Sequence, residues 1–486
     1  MTVMPGRRAL LGGAAAGLVL PLSLARSAPG AAATAMGPLR VAPGGRYFMR
    51  PDGRALLLAG SHVWTNLQDL GGSDPPTPFD FAAHLDLLAR LGHNLTRIWS
   101  WDSPMSGGTA FGHASPMPWL RTGPGLDAMG RPRFDLTRFD PAYFARLRAR
   151  AEAARARGIW AVVMLWNTWA LHDLTGEAGR NLWPFHPMAA GNNVNGIDGD
   201  PRRTGSGAAT QTLAIPEVTA LQDAYMRQVV ETVGGLDHIL YEITNEPLTN
   251  PATSAWQRAM VGRLRAIQAA RWGEDRPIGV TGGTRPDPAT ILAQLLESGA
   301  DWISPKGDES WHASPPEADG RRVSLLDTDH VFGVGGDALW MWKAFCRGHN
   351  LLAMDSFTGQ GLPGLLLETP PALTAVQDSG RLGLQDILRA AARVGMQGMA
   401  PRGPESSTGY LLADPGRAWI MLAPEGRRFT LDLSAAAGQR LHCSWLVVEP
   451  RARPRAAADV TLEGGARRQA FMPPFAPAAL VLTRTG

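Results

Sequence analysis

The segment Ile239-Leu240-Tyr241-Glu242-Ile243-Thr244-Asn245-Glu246-Pro247 runs as an apolar strand and stops in Asn-Glu-Pro. A carboxylic acid at the end of a buried strand is well placed for proton transfer. Splitting an acetal between two sugars needs one carboxyl group to protonate the leaving oxygen and another on the opposite side of the anomeric carbon. Glu246 suits the first role, and Asn245 could hydrogen-bond a sugar hydroxyl next to the reacting carbon. The aromatic residues fit the same chemistry, since the chain holds 16 Trp and only 5 Tyr. Trp64, Trp99, Trp101, Trp166, Trp169, Trp183 and Trp311 stand at expected strand ends or in the loops that follow them. Such rings can form platforms for the apolar faces of sugars, and two or three of the seven are expected to touch substrate. His62, His172, His186, His312 and His330 raise the question of a metal beside Asp327 and Asp329. None has the spacing of a zinc motif, so they read as hydrogen-bonded histidines lining a polar mouth, with no metal or cofactor expected.

These residues need a scaffold, and the chain alternates in a way that supplies one. Residues 46–69 read as a hairpin, with turn chemistry at Pro51-Asp52-Gly53, feeding a first barrel strand over residues 55–60. Strands over 94–101, 159–166, 238–244, 277–281, 301–304, 323–329 and 351–355 follow. Helices are expected over 79–91, 141–157, 216–233, 254–271, 288–298, 337–347 and 382–394. Eight strand–helix units imply a parallel sheet closed into a (β/α)8 barrel, an α/β fold. An open doubly wound sheet is disfavoured because no glycine-rich phosphate loop follows the first strand. Glu246 then lies at the carboxyl end of the fourth strand, where barrel active sites sit. The loop over 167–215 has no evident secondary structure, and a loop of that length in a compact domain is usually functional. After Ala400 the helical signals stop. Short strands over 410–412, 418–422, 428–433, 442–448 and 479–483 read as a small C-terminal β-sandwich. The expected organisation is a leader over 1–35, a barrel over 36–400 and a sandwich over 401–486.

The Asn-Glu ending resembles the cellulase–mannanase family 5 and its clan of retaining glycosidases, whose catalytic groups follow strands four and seven. That resemblance implies Glu246 as acid/base. Gly92-His93-Asn94-Leu95-Thr96-Arg97-Ile98-Trp99 resembles the clan's second strand, which implies that Arg97 lies under the carboxylates and keeps the nucleophile ionised. The family places a Glu after strand seven, whereas Val323-Ser324-Leu325-Leu326-Asp327-Thr328-Asp329-His330 ends in aspartates. Asp327 follows Glu246 by 81 residues, three units of 27 residues against an average of roughly 31 per unit in such a barrel. Alternation would put Asp327 and Asp329 on one face. Asp327 is preferred as nucleophile, with Asp329 and His330 in support, and Asp308-Glu309 after strand six as the rival. The opening residues, with Gly60-Ser61-His62-Val63-Trp64, also resemble apiosidase-like barrels with a C-terminal sandwich. Taken together, these readings put Asn245, Arg97, His62, Trp64, Trp166, Trp311 and His330 at the substrate site.

Charge points to no further partner. The first 35 residues hold three arginines and no acid, so the remainder carries 44 basic and 43 acidic residues. The pI of 9.4 is therefore no sign of nucleic-acid binding, and no basic run interleaves with aromatics. No apolar stretch beyond the leader approaches the ~20 residues of a membrane span. Arg7-Arg8 precede a weakly apolar run, and small-x-small sites follow near Ala31, Ala33 and Ala35. The leader resembles a twin-arginine signal, which implies export to the periplasm or beyond. Cys346 and Cys443 fall in different domains and read as small buried apolar residues. Three function classes stay open: a glycosidase acting on an oligo- or polysaccharide, a catalytically silent barrel that binds carbohydrate, and a metal-dependent hydrolase. The residues name no sugar, linkage or oligomeric state.

Overall fold

Eight parallel strands close on themselves in chain order: β1 Ala59–His62, β2 Leu95–Ile98, β3 Trp160–Asn167, β4 Ile239–Asn245, β5 Ile278–Thr281, β6 Trp302–Ser304, β7 Val323–Asp327 and β8 Asn350–Met354. The computed structural model describes residues 36–486 except 108–110, 172–180, 274, 284–286, 358–370, 449–456, 458 and 486. The expected leader over 1–35 therefore lies outside the described residues. Helices α1 Phe81–Arg90, α2 Pro141–Arg155, α3 Pro216–Val233, α4 Pro251–Trp272, α5 Pro288–Glu297, α6 Ser310–Ala313, α7 Ala338–Cys346 and α8 Pro371–Val394 follow the strands. Asp140, Asn250 and Asp287 cap α2, α4 and α5 through their side chains, each with proline in the first turn, the arrangement that fixes a helix start.

The period of two along each strand sorts the barrel into an inside and an outside. Ala161, Val163 and Leu165 on β3, with Ile239, Tyr241 and Ile243 on β4, face the helices and join one large apolar cluster. The alternate residues Val162 and Leu240 point inward with Leu95, Trp160, Trp302, Val323, Leu325 and Leu352. These fill the lower barrel, so the interior is a packed core. Gly60 lets β1 and β2 close: a Cβ there would stand 1.9 Å from the carbonyl oxygen of Leu95.

The first barrel strand differs from the expected 55–60. Ala55–Leu56 pairs back on Phe48–Met49 as a hairpin, and the barrel strand starts at Ala59. A single apolar run spans both because each half is covered on one side by the core. Four strands between β2 and α2 had no counterpart in the sequence reading. Met105–Gly107, Phe111–Ser115 and Asp69–Gly71 form one small sheet, and Trp119–Leu126 pairs with Pro132–Phe139. The loop over 167–215 carries three single-turn 3-10 segments. It packs Trp183, Met188 and Ala189 against Trp119 and Phe134.

From Ala400 the chain builds a six-stranded antiparallel sheet and a two-stranded one, Phe429–Leu431 with Gln469–Phe471. Three strands of this region, Ala400–Pro401, Val460–Glu463 and Gln469–Phe471, were not anticipated. Leu411, Trp419, Met421, Leu480 and Leu482 face the inner core with Phe429 and Leu431. On the other side of the large sheet, Leu412, Ile420, Leu422 and Val481 pack with Trp340, Phe345, Leu384 and Ile387 of α7 and α8. Barrel and sandwich thus share one apolar cluster within the unit that begins at Ala35. Cys346 and Cys443 are free and buried. Among the described residues no helix is long and apolar enough to cross a membrane.

Candidate functional site

Above the apolar layers of the barrel lies a charged one. Arg97 on β2 is nearly fully buried. Its Nε donates to Oε2 of Glu242 at 2.7 Å, and an Nη donates to Oε1 of the same carboxylate. The remaining donors reach Oδ2 of Asp327 at 3.2 Å and Oδ1 of Asn245 at 2.8 Å. This is the fork geometry that arginine offers to carboxylates. Burial opposes the charge of Arg97, but Glu242 and Asp327 outweigh it and hold the guanidinium ionised. His62 on β1 adds a second contact to Asp327, its Nε2 lying 2.9 Å from Oδ2. Burial alone would raise the Asp327 carboxyl, yet His62 and Arg97 together hold it well below the usual carboxylate range. Asp327 is the floor of the site, saturated with partners.

Glu246 stands one residue past the end of β4, with φ at +43°. A bulky residue in that region is strained, and such strain concentrates at functional sites. Its backbone N–H donates to Oγ1 of Thr281 on β5 at 3.1 Å, and that hydroxyl donates to the carbonyl of Thr244 at 2.8 Å. Gly283 makes room for the turn, since a Cβ there would lie 2.1 Å from the carbonyl oxygen of Pro247. The turn breaks strand alternation, so Asn245 and Glu246 both reach the same cavity. Lys306, two residues past β6, forms an ion pair with the Glu246 carboxylate.

β7 ends at Asp327, and Thr328–His330 is a 3-10 turn. The Asp327 carboxylate accepts the backbone N–H of Asp329 at 3.0 Å. That bond lifts Asp329 out of the strand register and into the mouth, where it lines the cavity with Glu246. Its Oδ2 is buried and finds no hydrogen-bond partner among the described residues, and Arg97 approaches it only to 3.8 Å. Burial and the neighbouring Glu246 and Asp327 push the Asp329 carboxyl well above its ordinary value.

The cavity has a volume of about 240 Å³ and is lined by Trp64, Trp99, Trp101, Asn245, Glu246, Asp329 and Gly333. Burial lowers His330 to about 3, so its ring is neutral. It donates from Nε2 to Oδ1 of Asn245 at 3.0 Å, and its Nδ1 accepts from Ser304 at 2.8 Å. With Arg97 and His330 both donating to its oxygen, Asn245 keeps its NH2 group free to donate, and that nitrogen lies 3.4 Å from Oδ1 of Asn167. Asn66 and Gln68, in the loop after β1, bond the backbone of Arg97, Trp99 and Trp101 and fix the two indoles. Trp99 and Trp101 are almost wholly buried. Trp64 is half-buried, 6.1 Å from Trp99, and leaves ring surface for a ligand.

Solved structures share the fold over most of the chain. One described as a glycoside hydrolase superposes with a TM-score of 0.58 at 12% identity, covering 92% of this chain and 97% of the other. A glycoside hydrolase family 5 protein from Bacteroides vulgatus gives a TM-score of 0.58 at 11% identity, with 92% of each chain covered. The likeness is one of fold. No protein-family model matches the chain, and no curated protein matches its sequence.

Several residues singled out from sequence meet in this mouth: Glu246, Asn245, Asp329, Trp64, Trp99 and Trp101 line it, while Arg97, His62, Asp327 and His330 lie beneath. The preference for Asp327 over Asp329 is reversed in access, because the strand stops at Asp327 and the 3-10 turn carries Asp329 forward. Trp166 is elsewhere, packed on Tyr225 and Trp256 behind β3. Trp311 is also outside the mouth, in α6, packing on the cluster shared with the sandwich. Trp183 stacks on His186 in the long loop. Glu309 is exposed, and the Asp308 carboxylate caps Ser310. His312 contacts the carbonyl of Val331 at 2.7 Å. The side chain of Trp169 and all of His172 lie outside the described residues. Among the described residues no group of three or more His, Cys, Asp and Glu is arranged to hold a metal ion. Sequence reasoning missed Glu242 and Lys306. A charged residue inside an apolar strand demands a buried partner, so Glu242 could have been matched to Arg97. Lys306 carries no local signal.

Proposed function

We propose that this chain is an exported retaining glycoside hydrolase in which Glu246 is the acid/base and Asp329 the nucleophile. The observation that carries the reading is that these two carboxyls, from strand-four and strand-seven ends, line one sugar-sized cavity beside the exposed face of Trp64. In the first step the Asp329 carboxylate attacks the anomeric carbon while Glu246 gives its proton to the departing oxygen, leaving a glycosyl ester on Asp329. Water then attacks the anomeric carbon as Glu246 takes its proton, and the Asp329 carboxylate departs. The NH2 group of Asn245 would hold the hydroxyl beside the reacting carbon, and Arg97 would stabilise the charge returning to Asp329. Asp327 is assigned a positioning role, orienting Asp329 through its backbone N–H and anchoring His62 and Arg97. The likeness in fold to glycoside hydrolases supports the reaction class, and the Arg7-Arg8 leader supports export.

The test is a screen of aryl glycosides and of plant and bacterial polysaccharides, with Glu246→Gln and Asp329→Asn as controls. The reading expects hydrolysis of at least one glycoside by the parent chain and sharp loss in both variants. Hydrolysis that survives in both would overturn it. Carbohydrate binding without hydrolysis would point to a silent barrel.

A further inference from the structure

At the end of the barrel opposite the mouth, where the chain enters β1 and β2, Arg50 and Arg54 face each other across a tight turn. The backbone N–H of Arg50 donates to the carbonyl of Arg54 at 3.0 Å, and that of Gly53 to the carbonyl of Arg50 at 2.9 Å. Met49 pairs with Ala55 in this hairpin, so the two arginines are the next pair and their side chains leave the same face. Like charges directly opposite each other are destabilising. Arg50 lies over the ring of Trp160 at 5.8 Å. Neither guanidinium forms an ion pair or hydrogen bond among the described residues. The carboxylate of Asp52, in the turn between them, instead accepts the backbone N–H of Arg54 at 3.1 Å.

Both arginines stand at a cavity of about 520 Å³ between this hairpin and the carboxyl end of α8, a size typical of small-molecule sites. Its floor is apolar: Leu57, Ala391 and Met396 are buried, and Leu56 and Leu388 are half-buried. No acidic residue lines it. The carboxyl end of a helix ordinarily disfavours an anion, because its last carbonyls carry partial negative charge. Here Arg417 donates to the carbonyls of Val394, Gly395 and Gln397 and covers that charge with a cation. We propose that this cavity binds a free amphiphilic carboxylate, its head bridging Arg50 and Arg54 and its alkyl body lying on Leu56, Leu388 and Met396. A carboxylate has two oxygens for two guanidiniums, and its charge offsets their repulsion. An alcohol of the same length would leave the arginines opposed, and an anion without a body would leave the floor wet. The site is remote from Glu246 and Asp329, so the proposal goes beyond the glycosidase reading and stands whether or not a glycoside is hydrolysed.

The test is calorimetric titration of the full chain with octanoate, octanol and acetate, each paired with a melting curve. Octanoate should bind saturably and raise Tm, while octanol and acetate, each lacking one half of the ligand, should bind about tenfold more weakly or worse. Arg54→Glu gives Arg50 an opposite charge. It should raise the Tm of the ligand-free protein and abolish octanoate binding. Ala392→Trp, at an exposed position of the cavity wall, should block octanoate and leave the ligand-free Tm in place. Octanoate binding that survives both substitutions, or octanol that binds as tightly as octanoate, would overturn the proposal. Acetate that matches octanoate would also overturn it, as the mark of plain surface attraction for anions. Attachment to vesicles of anionic phospholipid without octanoate binding would replace the free ligand with a membrane contact. The absence of any saturable octanoate binding would overturn the proposal outright.

Discussion

The carboxylate of Asp327 accepts the backbone N–H of Asp329 at 3.0 Å, and this one bond separates two aspartates that the sequence places side by side. Asp327 stays in the charged layer with Arg97 and His62, and Asp329 enters the mouth. The two should therefore respond in opposite ways to the same substitution.

Asp327→Asn leaves Arg97 and His62 undercompensated in a buried site. Breaking such a pair by removing one partner costs ~3–5 kcal/mol, and activity should fall with stability. The Asp327 carboxyl is depressed on folding, so its stabilising contribution is present above about pH 4 and fades as pH falls through the carboxylate range. The gap in Tm between parent and Asp327→Asn, wide at pH 7, should begin to narrow by pH 3. An equal gap at both pH values would count against the buried pair.

Asp329 carries the reverse sign. Its carboxyl is raised on folding, so the folded state binds a proton that the unfolded state releases above about pH 4, and stability falls as pH climbs past that value. Asp329→Asn removes this penalty. It should melt higher than the parent at pH 7, show little difference at pH 3, and have almost no activity. A lower Tm at pH 7 would contradict the assignment.

The tryptophans of the mouth divide by burial. Trp64→Ala removes a platform and should raise KM several-fold with a smaller effect on kcat. Trp99→Ala empties a packed position against His62 and Arg97 and should cost ~3–5 kcal/mol of stability. Chemical denaturation separates the two, and a fully stable Trp99→Ala would refute the packing role.

The parts of this molecule that were legible in the sequence are those governed by local rules. Helix starts at Pro141, Pro216 and Pro288 coincide with the structure because proline in the first turn is a local signal. Glu246 was found because Asn-Glu-Pro closes an apolar strand. What failed depended on partners far along the chain or on a break in periodicity. Extending β7 to residue 329 assumed that alternation continues, but an aspartate that bonds the backbone two residues on ends a strand. The hairpins before α2 alternate weakly, with Trp119–Leu126 exposed or half-buried at every residue but the first. The loop over 167–215 is held by amide side chains, as where Asn192 bonds the carbonyls of Pro184 and His186. Such contacts leave no periodic pattern to read. Trp166 and Trp311 look like mouth residues in sequence, but their ring directions are set by packing.

The sandwich covers apolar surface on α7 and α8 through Leu412, Ile420, Leu422 and Val481. A chain ending at Ala400 would expose Trp340, Phe345, Leu384 and Ile387 as a contiguous patch, the kind that drives aggregation. It should be insoluble or melt well below the full chain, and residues 401–486 alone should bind no polysaccharide in calorimetric titration. A soluble, stable truncated barrel together with a sugar-binding fragment would reverse this view of the sandwich as a brace.

The central claim is that Asp329, and not Asp327, attacks the anomeric carbon. The direct measurement is azide rescue of Asp329→Gly and Asp327→Gly on an activated aryl glycoside that the parent chain hydrolyses. Azide fills the space of a missing nucleophile and attacks the same carbon. The account predicts that azide restores turnover to Asp329→Gly and yields a glycosyl azide of inverted anomeric configuration by 1H NMR, while Asp327→Gly is not rescued. Rescue of Asp327→Gly with inversion, or an Asp329→Gly chain that needs no azide, would contradict it.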